Sequence, residues 1–78
     1  MIRCQLRVLI AQKEIEEGRR IPYSEISKAT GISPSALAAL ANNQVTRYYA
    51  STLDRLCKFF SCGVGDILVY TPNHAPDA

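Results

Sequence analysis

The sequence has 78 residues, of which 47% are hydrophobic, and a formal net charge of +2 at pH 7. This composition is typical of one small globular domain and excludes an intrinsically disordered chain. The sequence lacks both the ~18-residue apolar run of a membrane-spanning helix and the features of a signal peptide. It therefore predicts a soluble cytoplasmic protein with a weak preference for polyanionic partners.

Metal, cofactor and enzymatic chemistry find little support in the residue types. The chain contains three cysteines and one histidine, whereas a structural zinc site usually takes four ligands in two closely spaced pairs. We expect Cys4, Cys57 and Cys62 to be reduced thiols, with Cys57 packed in the core. No nucleophile stands beside a base, and the short chain has no room for a separate ligand domain. We therefore expect no metal, no cofactor, no small-molecule ligand and no enzymatic activity.

Two helices are predicted before the middle of the chain. The first runs from residue 4 or 5 to residue 17, where apolar side chains recur at helical spacing, and Gly18 ends it as a left-handed cap. Pro22 introduces a second helix over residues 23–30. Gly31 then supplies the positive φ that a tight turn requires.

The third predicted helix covers Pro34 to Asn42. Ser33 is a good N-cap, and proline is favoured at the first helical position behind it. Leu37 and Leu40 form the buried face, whereas the other positions carry mostly serine and alanine. Asparagine tolerates the left-handed backbone, so the pair at residues 42–43 is a suitable end for the helix.

The fourth helix is predicted over Thr52–Phe60, after a loop over residues 44–50. Ser51 is its predicted N-cap, and Gly63 closes it. Residues 64–68 are expected to form a last helical turn. This completes a set of about five short helices.

Residues 1–3 and 69–71 are β-prone. A single strand is not stable alone, so we predict that the two segments pair, within one chain or across a dimer. The expected fold class is therefore all-α, a compact bundle of about five short helices with a small antiparallel pairing of the N- and C-terminal segments. Residues 1–71 form this domain, and residues 72–78 are expected to be a mobile tail.

The strongest functional pattern lies in residues 25–40, which form two short helices around a glycine turn. Apolar anchors recur along this stretch: Ile26, Ile32, Leu37 and Leu40. The stretch resembles the Cro/repressor-type helix-turn-helix family, and residues 52–68 are similar to that family's closing helices. The resemblance spans residues 1–70. It implies a lambda-repressor-like domain that binds double-stranded DNA, usually as a dimer, and regulates transcription in a nucleoid-associated location.

The same resemblance places the third helix, residues 33–42, in the major groove. Its base-reading positions fall on Ser33, Pro34, Ser35, Ala36 and Ala39. Bidentate readout of a base requires forked side chains such as arginine or glutamine, and this helix carries none before Asn42. We therefore expect modest sequence selectivity, with a larger contribution from phosphate contacts and DNA shape.

No acidic residue lies between Pro34 and Leu53, and a surface without acids favours close approach to phosphate. The predicted phosphate-contact set is Lys28, Asn43, Gln44, Thr46, Arg47 and Tyr48. Arg47 is its leading member, because it is a cation in the loop after the third helix. Arg19 and Arg20 are flanking candidates, and Tyr48 alternatively packs under the loop.

Two further hypotheses concern protein partners. Unpaired strand edges, and the coverage of only one DNA half-site by a single domain, predict a homodimer. The predicted interface consists of Ile2, Val64, Ile67, Val69 and Tyr70. The alternative function is a protein-interaction adaptor or antitoxin-like module, because four alanines make the third helix smooth and weakly polar: Ala36, Ala38, Ala39 and Ala41.

Overall fold

The computed structural model describes residues 1–72 and contains five helices and two short strands over that range. In chain order the elements are β1 (Ile2–Cys4), α1 (Leu6–Glu17), α2 (Tyr23–Thr30), α3 (Pro34–Ala41), α4 (Ala50–Phe60), α5 (Val64–Ile67) and β2 (Leu68–Tyr70). The predicted bundle of about five short helices is confirmed. The predicted tail lies outside the described residues except for Pro72. No helix in the described range is long and apolar enough to cross a membrane.

The two strands bring the two ends of the described chain together. β1 pairs with β2 in an antiparallel sheet. The register places three pairs of residues opposite one another: Ile2 and Tyr70, Arg3 and Val69, Cys4 and Leu68. Beyond the ladder, the Thr71 amide donates to the Met1 carbonyl at 2.8 Å. The predicted pairing of the terminal segments therefore forms within one chain.

The core takes one fully buried side chain from each helix. In chain order these are Leu6, Ile26, Leu37, Leu56 and Ile67. Burying a leucine or isoleucine side chain contributes about 1.5–3 kcal/mol, so these five contacts set how the helices pack. Ile67 was predicted to lie in a dimer interface, but it belongs to the core. Its side chain is 0% exposed and therefore has no surface that a partner could contact.

The start of α4 and the residues that cap its two ends differ from the prediction. The helix starts two residues early with Tyr49 in the N-cap position, so Ser51 lies in the first turn and does not cap it. It ends at Phe60 as predicted, but the residue that caps its end is Ser61, which adopts a φ of 53°. Gly63 is instead the N-cap of α5, and its amide donates to the Asp66 carboxylate at 3.1 Å, which fixes the start of that helix.

Candidate nucleic-acid interface

Helices α2 and α3 are joined by a short turn around Gly31. Its φ of 79° is in the left-handed region that favours glycine, and its amide donates to the Ser27 carbonyl at 2.7 Å. The Thr30 hydroxyl accepts from the Ile32 amide at 3.2 Å and donates to the Ile26 carbonyl at 2.7 Å. Ile32 is buried beneath the turn. These contacts satisfy the backbone of the turn and hold the two helices at a fixed angle.

The N-terminal turn of α3 faces solvent. The backbone of Ser33 is extended, its hydroxyl accepts from the Ala36 amide at 3.2 Å, and Pro34 occupies the first helical position. The amides of a first helical turn and the helix dipole give such an end a partial positive charge. A phosphate group is therefore a suitable partner for this end of the helix.

Four of the five predicted base-reading residues are exposed on this turn. The exposed residues are Ser33, Pro34, Ser35 and Ala36, whereas Ala39 is half-buried. Serine forms hydrogen bonds with little discrimination between bases, and alanine contacts only the methyl group of thymine. The turn therefore offers close approach with little sequence information.

Most of the predicted phosphate-contact residues reach the surface near α3. The exposed members are Lys28, Gln44, Thr46 and Arg47. Tyr48 is half-buried and packs against the core. Within residues 1–72, Lys28 and Arg47 form no ion pair, so the charge of neither side chain is compensated by a nearby acid.

A small apolar cavity beside α3 explains the position of the loop that carries Arg47. Its volume is about 120 Å³. Its apolar lining includes Leu40, Val45, Tyr48, Tyr49 and Leu53. Ala36 and Arg47 line the same cavity, so the guanidinium-bearing loop lies next to the exposed turn of α3. The cation and the helix N-terminus therefore form one continuous surface.

Asn43 has a structural role that differs from the predicted phosphate contact. It follows α3 with a φ of 56°. Its side-chain oxygen accepts from the Cys4 amide at 2.6 Å, and its side-chain nitrogen donates to the Cys4 carbonyl at 3.4 Å. The side-chain amide of Asn43 is thus hydrogen-bonded to β1, and these bonds connect the C-terminal end of α3 to the sheet.

Arg7 of α1 also forms hydrogen bonds with the C-terminal end of α3. Its Nε donates to the Ala41 carbonyl at 3.2 Å, and its guanidinium also donates to the Asn42 side chain. A cation is favourable there because the C-terminus of a helix is the negative end of its dipole. Sequence analysis missed Arg7, since it lies 34 positions from Ala41 and no local pattern links the two.

Arg19, a flanking candidate for phosphate contact, forms ion pairs with two glutamates. Its guanidinium donates to the two Glu25 carboxylate oxygens at 2.7 and 2.5 Å and lies 2.9 Å from a carboxylate oxygen of Glu17. The hydrogen bond from Arg19 is the main reason that the pKa of Glu25 is lowered. Arg19 therefore links α1 to α2. Arg20 is exposed and forms no ion pair within residues 1–72.

The three cysteines are free thiols. Cys4 is a buried residue of β1, and that burial raises the pKa of its thiol. In the part of the chain that the structure describes, no three side chains of the metal-binding types come together.

The sheet end of the molecule carries an exposed apolar patch. Ile2 is 51% exposed, Tyr70 is 71% exposed, and the two face each other across the strands. Val64 is also exposed at 52%, and Val69 is half-buried. Four of the five predicted interface residues therefore retain accessible surface.

Comparison with known proteins agrees with this geometry. Residues 5–73 match the model of the Cro/C1-type HTH (helix-turn-helix) DNA-binding domain. The chain is also 36% identical over 52 residues to the uncharacterized HTH-type transcriptional regulator YozG of Bacillus subtilis (strain 168). That match covers 67% of this chain and 62% of the relative, so the chain spans less than two thirds of the relative's length. No solved structure matches the chain significantly. The predicted resemblance is confirmed, and the chain belongs to the Cro/C1-type HTH DNA-binding domain family.

Proposed function

We propose that this protein is a DNA-binding transcriptional regulator that acts in the cytoplasm by binding and not by catalysis. The observation that carries the proposal is the exposed N-terminal turn of α3, which contains no acid and adjoins the unpaired cation Arg47. Membership of the Cro/C1-type family and the transcriptional-regulator name of the Bacillus subtilis relative support it.

In the proposed complex, α3 enters the major groove with its N-terminal turn toward the base edges. The contact residues there are Ser33, Pro34, Ser35 and Ala36, with Ala39 further along the helix. Each good bidentate contact contributes about 1–3 kcal/mol of discrimination, and these side chains can form none. The sequence selectivity of the protein is therefore modest and depends partly on DNA shape.

Phosphate contacts supply most of the affinity in this proposal. Lys28 and Arg47 provide charge, and Gln44 and Thr46 provide hydrogen bonds, since all four side chains are exposed. Binding releases counterions from DNA, so the affinity falls as salt is raised. The logarithm of the binding constant decreases by about 0.9 per neutralised phosphate for each tenfold increase in salt concentration. Tyr48 contributes mainly by holding the loop, because its ring packs against the core.

The first test is binding of labelled duplex DNA while salt is raised from roughly 50 to 200 mM. We expect a steep loss of affinity, and Arg47→Ala should reduce the salt slope by about 1. Lys58→Ala is the matched control, because it removes one exposed cation near the other end of α4. Absence of binding at the low-salt end, or equal slopes for both variants, would contradict the proposal for α3 and Arg47.

A homodimer completes the proposal, since two domains spaced by one turn of DNA read two half-sites. Ile2, Val64, Val69 and Tyr70 form the proposed interface at the sheet end. Tyr70→Asp should lower the mass seen by sedimentation from that of a dimer to that of a monomer. Ile15→Asp is the matched control, because Ile15 is 81% exposed on α1. A monomer for the unaltered protein, or equal effects of both variants, would remove this interface.

The alternative function is docking of a protein partner on the smooth surface of α3. The apolar cavity beside Ala36 and the exposed Tyr49 favour it, because small residues allow another helix to approach closely. This alternative predicts no retention of DNA at low salt. Under the DNA-binding proposal, Ala36→Glu should abolish DNA binding while leaving the circular dichroism spectrum unchanged.

A further inference from the structure

The end of α4 brings two cysteines together through the way the helix is capped. Ser61 turns the backbone left-handed, and the amides of Ser61 and Cys62 both donate to the Cys57 carbonyl, the latter at 3.0 Å. A bond from the amide of the second residue after the helix to the carbonyl five residues earlier is the Schellman arrangement. A contact between the side chains of those two residues frequently accompanies this arrangement, and here both residues are cysteines.

The surroundings of this pair distinguish it from the remaining thiol. Cys57 and Cys62 are both half-buried, so solvent reaches them, and the proximity of Cys57 is one of the causes that raise the pKa of the Cys62 thiol. Cys4 is only 5% exposed and lies on β1. Neither Cys57 nor Cys62 belongs to the proposed DNA interface or to the fully buried core.

We propose that Cys57 and Cys62 are a site of reversible oxidation, and that they form an intramolecular disulfide on reaction with a small-molecule disulfide such as oxidised glutathione. The bond closes a short ring across the end of α4 and links that helix to the turn before α5. Both thiols must deprotonate, and the capping hydrogen bond already brings the backbones of the two residues close together.

The chemistry balances as two successive thiol–disulfide exchanges. One protein thiolate attacks a glutathione sulfur, which forms a mixed disulfide and releases one glutathione as its thiolate. The second protein thiolate then attacks the protein sulfur of the mixed disulfide, which forms the intramolecular disulfide and releases the other glutathione as its thiolate. The two protein thiols are oxidised, one glutathione disulfide is reduced, and the two protons end on the two released glutathione thiols.

The local environment makes this reaction slow near neutral pH. Burial is the main reason that the pKa of Cys62 is raised above 9.0, and the neighbouring Cys57 and Asp66 raise it further. Because the thiolate is the attacking species, the rate should increase as the pH approaches that raised pKa. A site with this behaviour responds to sustained oxidation more than to brief exposure.

The test treats the folded protein with oxidised glutathione and measures intact mass and free thiols. We expect a monomer that is about 2 Da lighter, with one of three thiols still reactive after denaturation and full reversal by dithiothreitol. Cys4→Ser should behave like the unaltered protein except that no thiol remains. Cys57→Ser and Cys62→Ser should each stop at a mixed disulfide with one glutathione.

Each remaining outcome contradicts the proposal. A covalent dimer would mean that the pair reacts between molecules, and a disulfide containing Cys4 would mean that the native contacts are not those that react. An unchanged mass at alkaline pH, or a stable mixed disulfide in the unaltered protein, would mean that the capping geometry does not allow the bond. Circular dichroism of the three serine variants checks that they are folded.

Discussion

The N-terminal end of α3 has one side-chain hydrogen bond, from the Ala36 amide to the Ser33 hydroxyl, and its surface faces solvent. The C-terminal end, in contrast, is attached to two other elements. Arg7 of α1 donates to the Ala41 carbonyl and to Asn42, and Asn43 is bonded to β1 through Cys4. One end of the helix is available to a partner, and the other is fixed to the rest of the domain.

This difference shows how so short a helix can be a rigid element. A ligand that contacts the free end meets a helix whose orientation is already set by contacts at its other end. Little ordering entropy is then lost on binding, which is the benefit of preorganisation. Substitutions in the helix, at each of its ends and at a distant ion pair should therefore differ in the size of their effects.

Leu37→Ala should have the largest effect, because Leu37 is fully buried in the middle of α3 and supports both ends. We expect a loss of about 2–5 kcal/mol in the free energy of unfolding, measured by urea denaturation. Ser35→Ala on the exposed side of the same helix is the control and should change stability by less than about 0.5 kcal/mol. Similar midpoints for the two variants would contradict the described packing.

Asn43 substitutions test the fixed end. Asn43→Ala should cost about 2–4 kcal/mol, since it leaves the Cys4 amide without its partner and replaces asparagine, which tolerates the left-handed backbone, with alanine, which tolerates it less. Asn43→Gly also loses the side-chain bonds but tolerates the positive φ, so it should be the more stable variant by about 1 kcal/mol. Equal losses in thermal or urea unfolding would show that the backbone conformation contributes nothing.

Ser33 substitutions test the free end and separate stability from binding. Ser33→Ala removes the N-cap hydrogen bond and should cost about 1 kcal/mol. Ser33→Asp keeps a capping oxygen and adds a charge that suits the helix dipole, so its stability should match the unaltered protein. The same aspartate should weaken DNA binding by repelling phosphate. Tight DNA binding by Ser33→Asp would contradict the placement of this turn in the groove.

The exposed contacts of Arg19 should have the smallest effect, visible mainly as pH dependence. Arg19 lowers the pKa of Glu25 below 4.5, its ordinary value, so the stabilisation is complete above that value and is lost as the pH falls through the lowered pKa. Arg19→Ala should therefore flatten the decline of the unfolding midpoint in acid. An identical pH profile for both proteins would show that the ion pair contributes nothing to stability.

Local chemistry explains which parts of the fold were predictable from sequence. Gly18 and Gly31 end their helices in the left-handed conformation, and Ser33 with Pro34 starts α3, because each signal acts within one helical turn. The C-cap of α4 was assigned to Gly63 and is Ser61, since a serine can take the left-handed position when its own amide and the next one bond to the same carbonyl. Residue type alone does not reveal that preference.

Long-range contacts explain which parts of the candidate site could not be predicted. Asn43 and Arg7 are polar residues, and only the folded chain shows that their partners lie 34 to 39 positions away. Ile67 resembles other apolar residues at the C-terminal end until packing places it in the core. The exposed turn of α3 was predictable because helical periodicity determines which face is buried.

The sheet that joins Met1 to Thr71 has a consequence for the kinetics of folding. Their hydrogen bonds connect residues 70 positions apart, whereas α2, α3 and α4 meet their neighbours within short loops. Contacts distant in sequence carry the largest loop-closure entropy, so the helices should assemble before the strands pair. Contacts that form after the transition state influence mainly the unfolding rate. The lifetime of the folded protein should therefore depend on the two-stranded sheet, although the speed of its assembly depends on the helices.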